Sequence, residues 1–168
     1  YVASMNISDT LQLLDAYVIS ERVISTYADL SQESLLNDLK IFQNEYEKVC
    51  LKPNLLLITE INSKFHNRIA VSTNNQFLIS HSAHLHNLSR RLSYFVYKFE
   101  SHSQEKLLKH LKKINKDHRA IINQVELRNQ KKLVKLCTEH AEMFRKRLQK
   151  VINRKGINKL DLTEIKLK

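Results

Sequence analysis

Glycine and proline are nearly missing from this chain: its 168 residues hold one of each, Gly156 and Pro53. A phosphate-cradling P-loop or a dinucleotide-binding turn needs several glycines, so nucleotide-dependent chemistry of those kinds is excluded. The same scarcity argues against a many-turned β protein and for long helices with short connections. The two cysteines, Cys50 and Cys137, are too few for a disulfide framework and form no C-x-x-C pair. They read as reduced thiols of an intracellular protein. No apolar run reaches the roughly 18 residues of a membrane span, and no charged-then-apolar signal segment opens the chain. A cytoplasmic protein without a membrane partner is expected. The length suits one domain, and the opening Tyr1, in place of methionine, reads as a fragment or processed chain.

Positive charge is what the chain has in excess: 28 Lys/Arg against 17 Asp/Glu, a net +11. Residues 1–72 hold 6 basic against 9 acidic side chains, whereas residues 101–156 hold 16 against 5. The basic charge thus belongs to the last two helical segments. Phe144 is the only Phe, Tyr or Trp between 101 and 156, so stacking of single-stranded bases is poorly supported. Solvated helix faces account for this charge more simply.

Apolar periodicity predicts six helices. Ser8 reads as the N-cap of the first, which turns Leu11, Leu14, Val18, Ile24 and Ala28 inward. Ser31 starts a second helix to about Val49, and Pro53 takes the first position of a third, from Leu55 to about Ser72. Asn74-Asn75 is the turn before a fourth, Gln76 to about Phe99, with Phe77, Leu78, Leu85, Leu88, Leu92 and Phe95 as its apolar set. Ser101 or Ser103 opens a fifth to about Leu127. Arg128-Asn129 breaks it before a sixth, Gln130 to Asn153. The fold class is all-α, an antiparallel helical bundle of about six to seven helices with a central ligand or metal cavity.

Spacing brings histidines together. His118 lies 11 residues before Asn129 and His140 lies 11 after it. With Asn129 as the turn of a helical hairpin, each is about 16 Å along its helix at about 1.5 Å per residue, so both reach one depth. Asn62 and His66, at i and i+4, share one face of the third helix. A lone histidine on an apolar face is ordinarily a satisfied core residue. Three of them with one side-chain oxygen, converging from three helices, make a ligand set suited to zinc, nickel or a similar divalent ion. His102 and His110 lie on a polar segment, which assigns them to the surface. His81, His84 and His86 crowd one helix, and His84 is a candidate to line the same cavity.

These residues resemble the FCD ligand-binding domain (FadR C-terminal type) of GntR-family transcription regulators. That pattern has an acidic residue, Phe-His three and four on, and an Asn nine after the His; here it reads Asn62-Ser63-Lys64-Phe65-His66 and Asn75. It continues with a His, an Ile three on and Gly-Asp 10 and 11 on, here His118, Ile121 and Arg128-Asn129. A final His follows 11 after the Asp, here His140. The resemblance covers about Ser8 to Val151. It implies residues 1–7 as the end of a linker or upstream winged-helix domain, 8–155 as the effector-binding domain and 156–168 as a loosely ordered tail.

In such domains the Asp and three His hold a divalent metal on which small organic acids bind, so the resemblance implies Asn62, His66, His118 and His140 as ligands. Asn62 replaces the usual carboxylate. A neutral amide oxygen leaves the site at +2 rather than +1, which weakens metal retention and strengthens attraction for an anion. The first helix of the pattern carries an Arg four residues before a Glu; Glu21 fits the acid, and Tyr17 stands where the Arg would be. The effector then loses a bidentate anchor, to be supplied by Arg90 or Arg91, or it differs in kind. The implied function is effector sensing by a homodimeric, non-enzymatic regulator that reaches DNA through an upstream domain. Two other classes remain. One is a helical, hydrolase-like metalloenzyme, disfavoured because no carboxylate has the spacing of a general base. The other is a basic module binding nucleic acid or another polyanion through residues 106–155.

Overall fold

Asparagine side chains open most of the helices. A computed structural model describes residues 5–155 and 159–160. Among them are six helices: α1 (Ile7–Tyr27), α2 (Glu33–Leu51), α3 (Leu55–Val71), α4 (Gln76–Glu100), α5 (Gln104–Glu126) and α6 (Gln130–Lys155). Asn6 accepts from the Asp9 N–H at 2.8 Å, Asn54 from Leu57 at 3.1 Å, Asn75 from Phe77 at 3.0 Å and Asn129 from Lys132 at 3.1 Å. Each amide oxygen satisfies a donor that the first helical turn cannot satisfy itself.

These caps correct three expected starts. Ser8 lies inside the first turn of α1, because Asn6 caps it. Pro53 precedes the Asn54 cap of α3 instead of occupying the first helical position. Ser31 does not cap α2; the Asp29 carboxylate organises that turn by accepting from the Ser31 N–H and hydroxyl at 3.0 and 2.6 Å. At the start of α5, Ser103 takes the cap position without a side-chain bond.

Two residues stand in the left-handed region, Asn74 at φ 53° and Arg128 at φ 51°. They make the turns between α3 and α4 and between α5 and α6. Arg128 occupies the place where the FCD pattern carries glycine, the residue that adopts this conformation most freely. The Asn75 and Gly-Asp pieces of the pattern are therefore turn and cap positions, not ligands.

Helix α1 packs on α6, α4 and α3, α2 lies on α3 and α5, and α5 pairs with α6. Three hydrophobic clusters fill the interior. One joins the first half of α1 to the end of α6 through Leu13, Leu14, Val151 and Ile152. A second, around Ile24, Leu39, Phe65 and Cys137, and a third, around Tyr46, Ile58 and Leu111, lie on either side of the histidines. The buried stripe of α1 runs through Leu13, Leu14, Tyr17, Ser20, Glu21 and Ile24, leaving Leu11 and Val18 half-buried. This register puts Tyr17 and Glu21 inside. On α4, Phe77 sits 88% exposed at the first turn, whereas Leu85 and Leu92 face the core as expected, joined by Ser82, His86 and Ser89. A two-residue strand β1 (Met5–Asn6) pairs antiparallel with β2 (Lys159–Leu160). Otherwise residues 1–4 and the expected tail, 156–158 and 161–168, lie outside the described residues. No helix among those described is long and apolar enough to cross a membrane.

Candidate metal centre

All six helices contribute to one buried polar cluster. One ligand atom from each of His66, His118 and His140 falls within 4.8 Å of the others, and all three residues are buried. His66 and His140 stack at 5.2 Å between ring centroids, and His118 lies 5.4 and 5.1 Å from them. The equal depths about Asn129 are what bring His118 and His140 together. Phe65, the neighbour of His66 on α3, lies flat on the His118 ring at 4.1 Å and fixes its plane.

An acceptor behind each ring sets its orientation. Glu21 Oε2 accepts from His66 Nδ1 at 2.8 Å, and its Oε1 accepts from His86 Nε2 at 2.9 Å. Asp117 Oδ2 lies 3.3 Å from His140 Nδ1. Gln43 Oε1 lies 2.8 Å from His118 Nδ1. The Gln43 amide is unambiguous, because its NH2 donates to Glu47 at 2.7 Å and to Asn115 at 2.8 Å. A carboxylate or an amide oxygen only accepts, so all three rings carry hydrogen on Nδ1 and turn Nε2 away from these partners. Acceptors on the far ring nitrogen are how histidines are held for a metal.

Three of the unsatisfied buried atoms are ones a cation would take. His66 Nε2, His118 Nε2 and Asn62 Oδ1 are buried without a hydrogen-bond partner among the described residues. Each such orphan costs about 1–3 kcal/mol. Three converging imidazole nitrogens fit zinc or nickel in ligand type, and Asn62 lies one turn before His66 on α3. Glu21 and Asp117, directly behind the ligands, place two carboxylates against the +2 of such a centre, compensation that ligand identity alone does not show.

Burial resists ionisation of Glu21, yet the charge and hydrogen bonds of His66 and the bond from His86 outweigh it and hold the carboxyl well below its usual range. Asp117 is likewise held low against burial, by His140 and Lys113. Burial pushes His118 well below the ordinary histidine value of 6.5, helped by His140 and His66, and pushes His140 down against the pull of Asp117. Tyr17 is raised by burial and by Glu21; its ring meets His86 edge-on at 5.2 Å.

A pH profile follows from these shifts. Below 6.5 the unfolded chain takes up protons on His118 and His140 that the folded chain refuses, so stability falls with acidification. The slope is up to about 1.4 kcal/mol per pH unit for each ring that stays neutral. Glu21 and Asp117, with lowered values, lose their contribution only at more acidic pH. Urea midpoints of metal-free protein should decline from about pH 7 to about pH 5; a flat profile would mean that these rings titrate as they do in the unfolded chain.

The other expected site residues divide. Arg90 is mostly buried and reaches Glu60 only at 3.9 Å, and its Nε has no partner among the described residues. Arg91 is half-buried. His84 is exposed, which corrects its assignment to the cavity; His86, two residues on, faces in because the buried stripe of α4 runs 82, 86, 89. His110 is buried at 2% exposure and bonds Glu100 at 2.5 Å, contrary to the surface role its polar segment suggested. Gln43 and Asp117 went unnoticed in the sequence. Gln43 had a signal, as the one polar member of the stripe Leu35, Leu39, Gln43, Tyr46 and Cys50. His66, His118 and His140 line neither of the two cavities described, a groove between α5 and α6 and a smaller recess at Cys50, Leu51 and Leu111.

Comparison with known proteins bears on the whole arrangement. The model of the FCD domain family matches residues 20–143, well over half of the chain and a span that includes every histidine of the cluster. A search of curated proteins matches none to this chain.

Proposed function

This chain belongs to the FCD family, the C-terminal domains of GntR-family regulators, and from that premise we propose that it senses a small organic acid at a divalent metal held by Asn62, His66, His118 and His140. The observation that carries this reading is the buried cluster of His66, His118 and His140 with His66 Nε2 and His118 Nε2 unpartnered among the described residues; Asn62 Oδ1, one turn before His66 on α3, is unpartnered as well. The metal would supply a cationic centre for a carboxylate. Arg90, one turn beyond His86 on α4 and with no partner for its Nε among the described residues, would add a second charge in place of the missing first-helix arginine. Glu21 and Tyr17 act from behind: Glu21 orients His66, and Tyr17 packs against His86.

Regulation follows from the origin of the cluster. Glu21, Gln43, Asn62, His86, His118 and His140 come one from each helix, so a ligand that prefers one spacing of them shifts the packing of the whole bundle. In a cytoplasmic homodimer joined to upstream DNA-binding domains, that population shift changes how those domains are presented. Catalysis has less support, because Glu21 and Asp117, the carboxylates nearest the histidines, are already committed to their Nδ1 atoms.

Calorimetric titration of zinc-loaded protein with small mono-, di- and tricarboxylic acids tests the reading. Binding should require the metal and should weaken at least about tenfold in Arg90→Ala, the loss of one charge-assisted contact. Acid binding that survives chelation, or that ignores Arg90→Ala, would overturn it.

A further inference from the structure

Part of the positive charge of the chain gathers at one groove: seven of its 28 Lys/Arg line a single cleft. The N-terminal half of α5 and the C-terminal half of α6 enclose a cleft of about 1080 Å³, lined by seven Lys/Arg against three Glu. The acids are already engaged: Glu100 by His110 and Arg147, Glu139 by Lys135 and Glu142 by Lys146. Lys106 and Lys109 on α5 face Lys150 and Arg154 on α6 across the cleft. All four are exposed and have no ion-pair partner among the described residues. The Glu100–His110–Arg147 group, built on the buried His110 with bonds of 2.5 and 2.8 Å, ties the floor together beneath them.

We infer that this groove between α5 and α6 binds the phosphate backbone of duplex DNA. Two cation rows flanking a trough suit one backbone strand lying along it. The α5 side, from 102 to 113, is about 16 Å long at about 1.5 Å per residue. Along about 16 Å of duplex, one strand presents roughly five phosphates at about 3.4 Å each. Single strands fit less well, since Phe99 is the only Phe, Tyr or Trp in the lining and one ring makes no stacking ladder. Position agrees with charge. Leu13 and Leu14 of α1 pack on Val151 and Ile152 of α6, so the groove lies at the end of the bundle where α1 begins. On the function proposed above, with a DNA reader joined ahead of α1, that is the end nearest the reader. The contact is sequence-independent, because it reads phosphates and no base edge. Its residues are separate from the histidine cluster, so it stands or falls independently of the metal reading.

Fluorescence anisotropy of the full 168-residue chain with a random-sequence 20-bp duplex tests this. With four phosphates engaged, log affinity should fall with log salt at a slope of about −3.6, roughly a 150-fold loss between about 50 and 200 mM. K106E/K109E and K150E/R154E should each cut affinity at the lower salt at least about tenfold and reduce the slope by about 2. Lys131→Glu/Lys132→Glu, on exposed lysines at the other end of α6, should leave binding unchanged. Unaltered Tm and zinc response in each variant would show that fold and histidine site are intact. No duplex binding at about 50 mM salt would overturn the inference. So would equal loss in the Lys131/Lys132 variant, or capture of linear polyphosphate or an acidic peptide in preference to duplex.

Discussion

Zinc or nickel added to metal-free protein should raise its Tm by roughly 5–10 °C. Saturation at about 100 times Kd contributes about 2.7 kcal/mol to the folded state. A chain of this length gains about 2–4 °C for each kcal/mol. His118→Ala should abolish the shift, because it removes a ligand whose Nε2 has no other partner among the described residues. Asn62→Asp is the more informative variant. It is isosteric and turns a neutral oxygen into a charged one, so metal should be held more tightly, on the order of tenfold. Differential scanning fluorimetry with a chelator control, alongside elemental analysis of the purified protein, makes the measurement. No metal in the pure protein and no Tm response to either ion would end the metal reading, and an Asn62→Asp variant that bound no better would remove Asn62 from the ligand set.

Glu21→Ala should be the most destabilising single change near the site. The carboxylate is buried, at 4% exposure, and bonds two buried imidazoles. Removing one partner of such a group leaves the others uncompensated, at about 3–5 kcal/mol, or roughly 6–20 °C in Tm. Glu21→Gln separates packing from orientation. It keeps the volume and one acceptor, so it should cost less stability. It also no longer offers two acceptor oxygens, and loss of such an outer partner lowers metal affinity by about 10–100-fold. Thermal melts with zinc titration of both variants read the two effects apart. Equal zinc affinity in Glu21→Gln and the parent would show that Glu21 supports the fold and not the site.

The helices, their order and the pairing of His118 with His140 were legible because they depend on counting. Period 3.6 marks the segments, and equal distances from Asn129 fix a common depth on two neighbouring helices. Membership in the FCD family was legible for the same reason, since its pattern is a set of spacings. The supports of the site were harder to see. Glu21 bonds His66 and His86, which lie 45 and 65 residues away, and Gln43 bonds His118, 75 residues away. Such partnerships depend on how α1 and α2 roll against the bundle, and the stripe of α1 was read off its aliphatic residues. In fact it includes Ser20 and Glu21, so the inward face is rotated from the one that Leu11 and Val18 suggest. His110 misled for a related reason. Its neighbours are basic, but its side chain points the other way, between Leu107 and Leu111 on the buried side of α5. Caps misled least: Asn6 and Asn54, two residues before Ser8 and one after Pro53, satisfy first-turn N–H groups of α1 and α3.

The burial of the histidines also has a kinetic consequence. His66, His118 and His140 are 1%, 0% and 7% exposed. An ion held among them would have no open path to solvent through these side chains, and a chelator could take it only when helices separate. Release would then follow the opening rate of the bundle more than the strength of the individual bonds, as amide protons in a core exchange only when it opens. Occupancy would carry a memory of the metal supply at the time the chain folded.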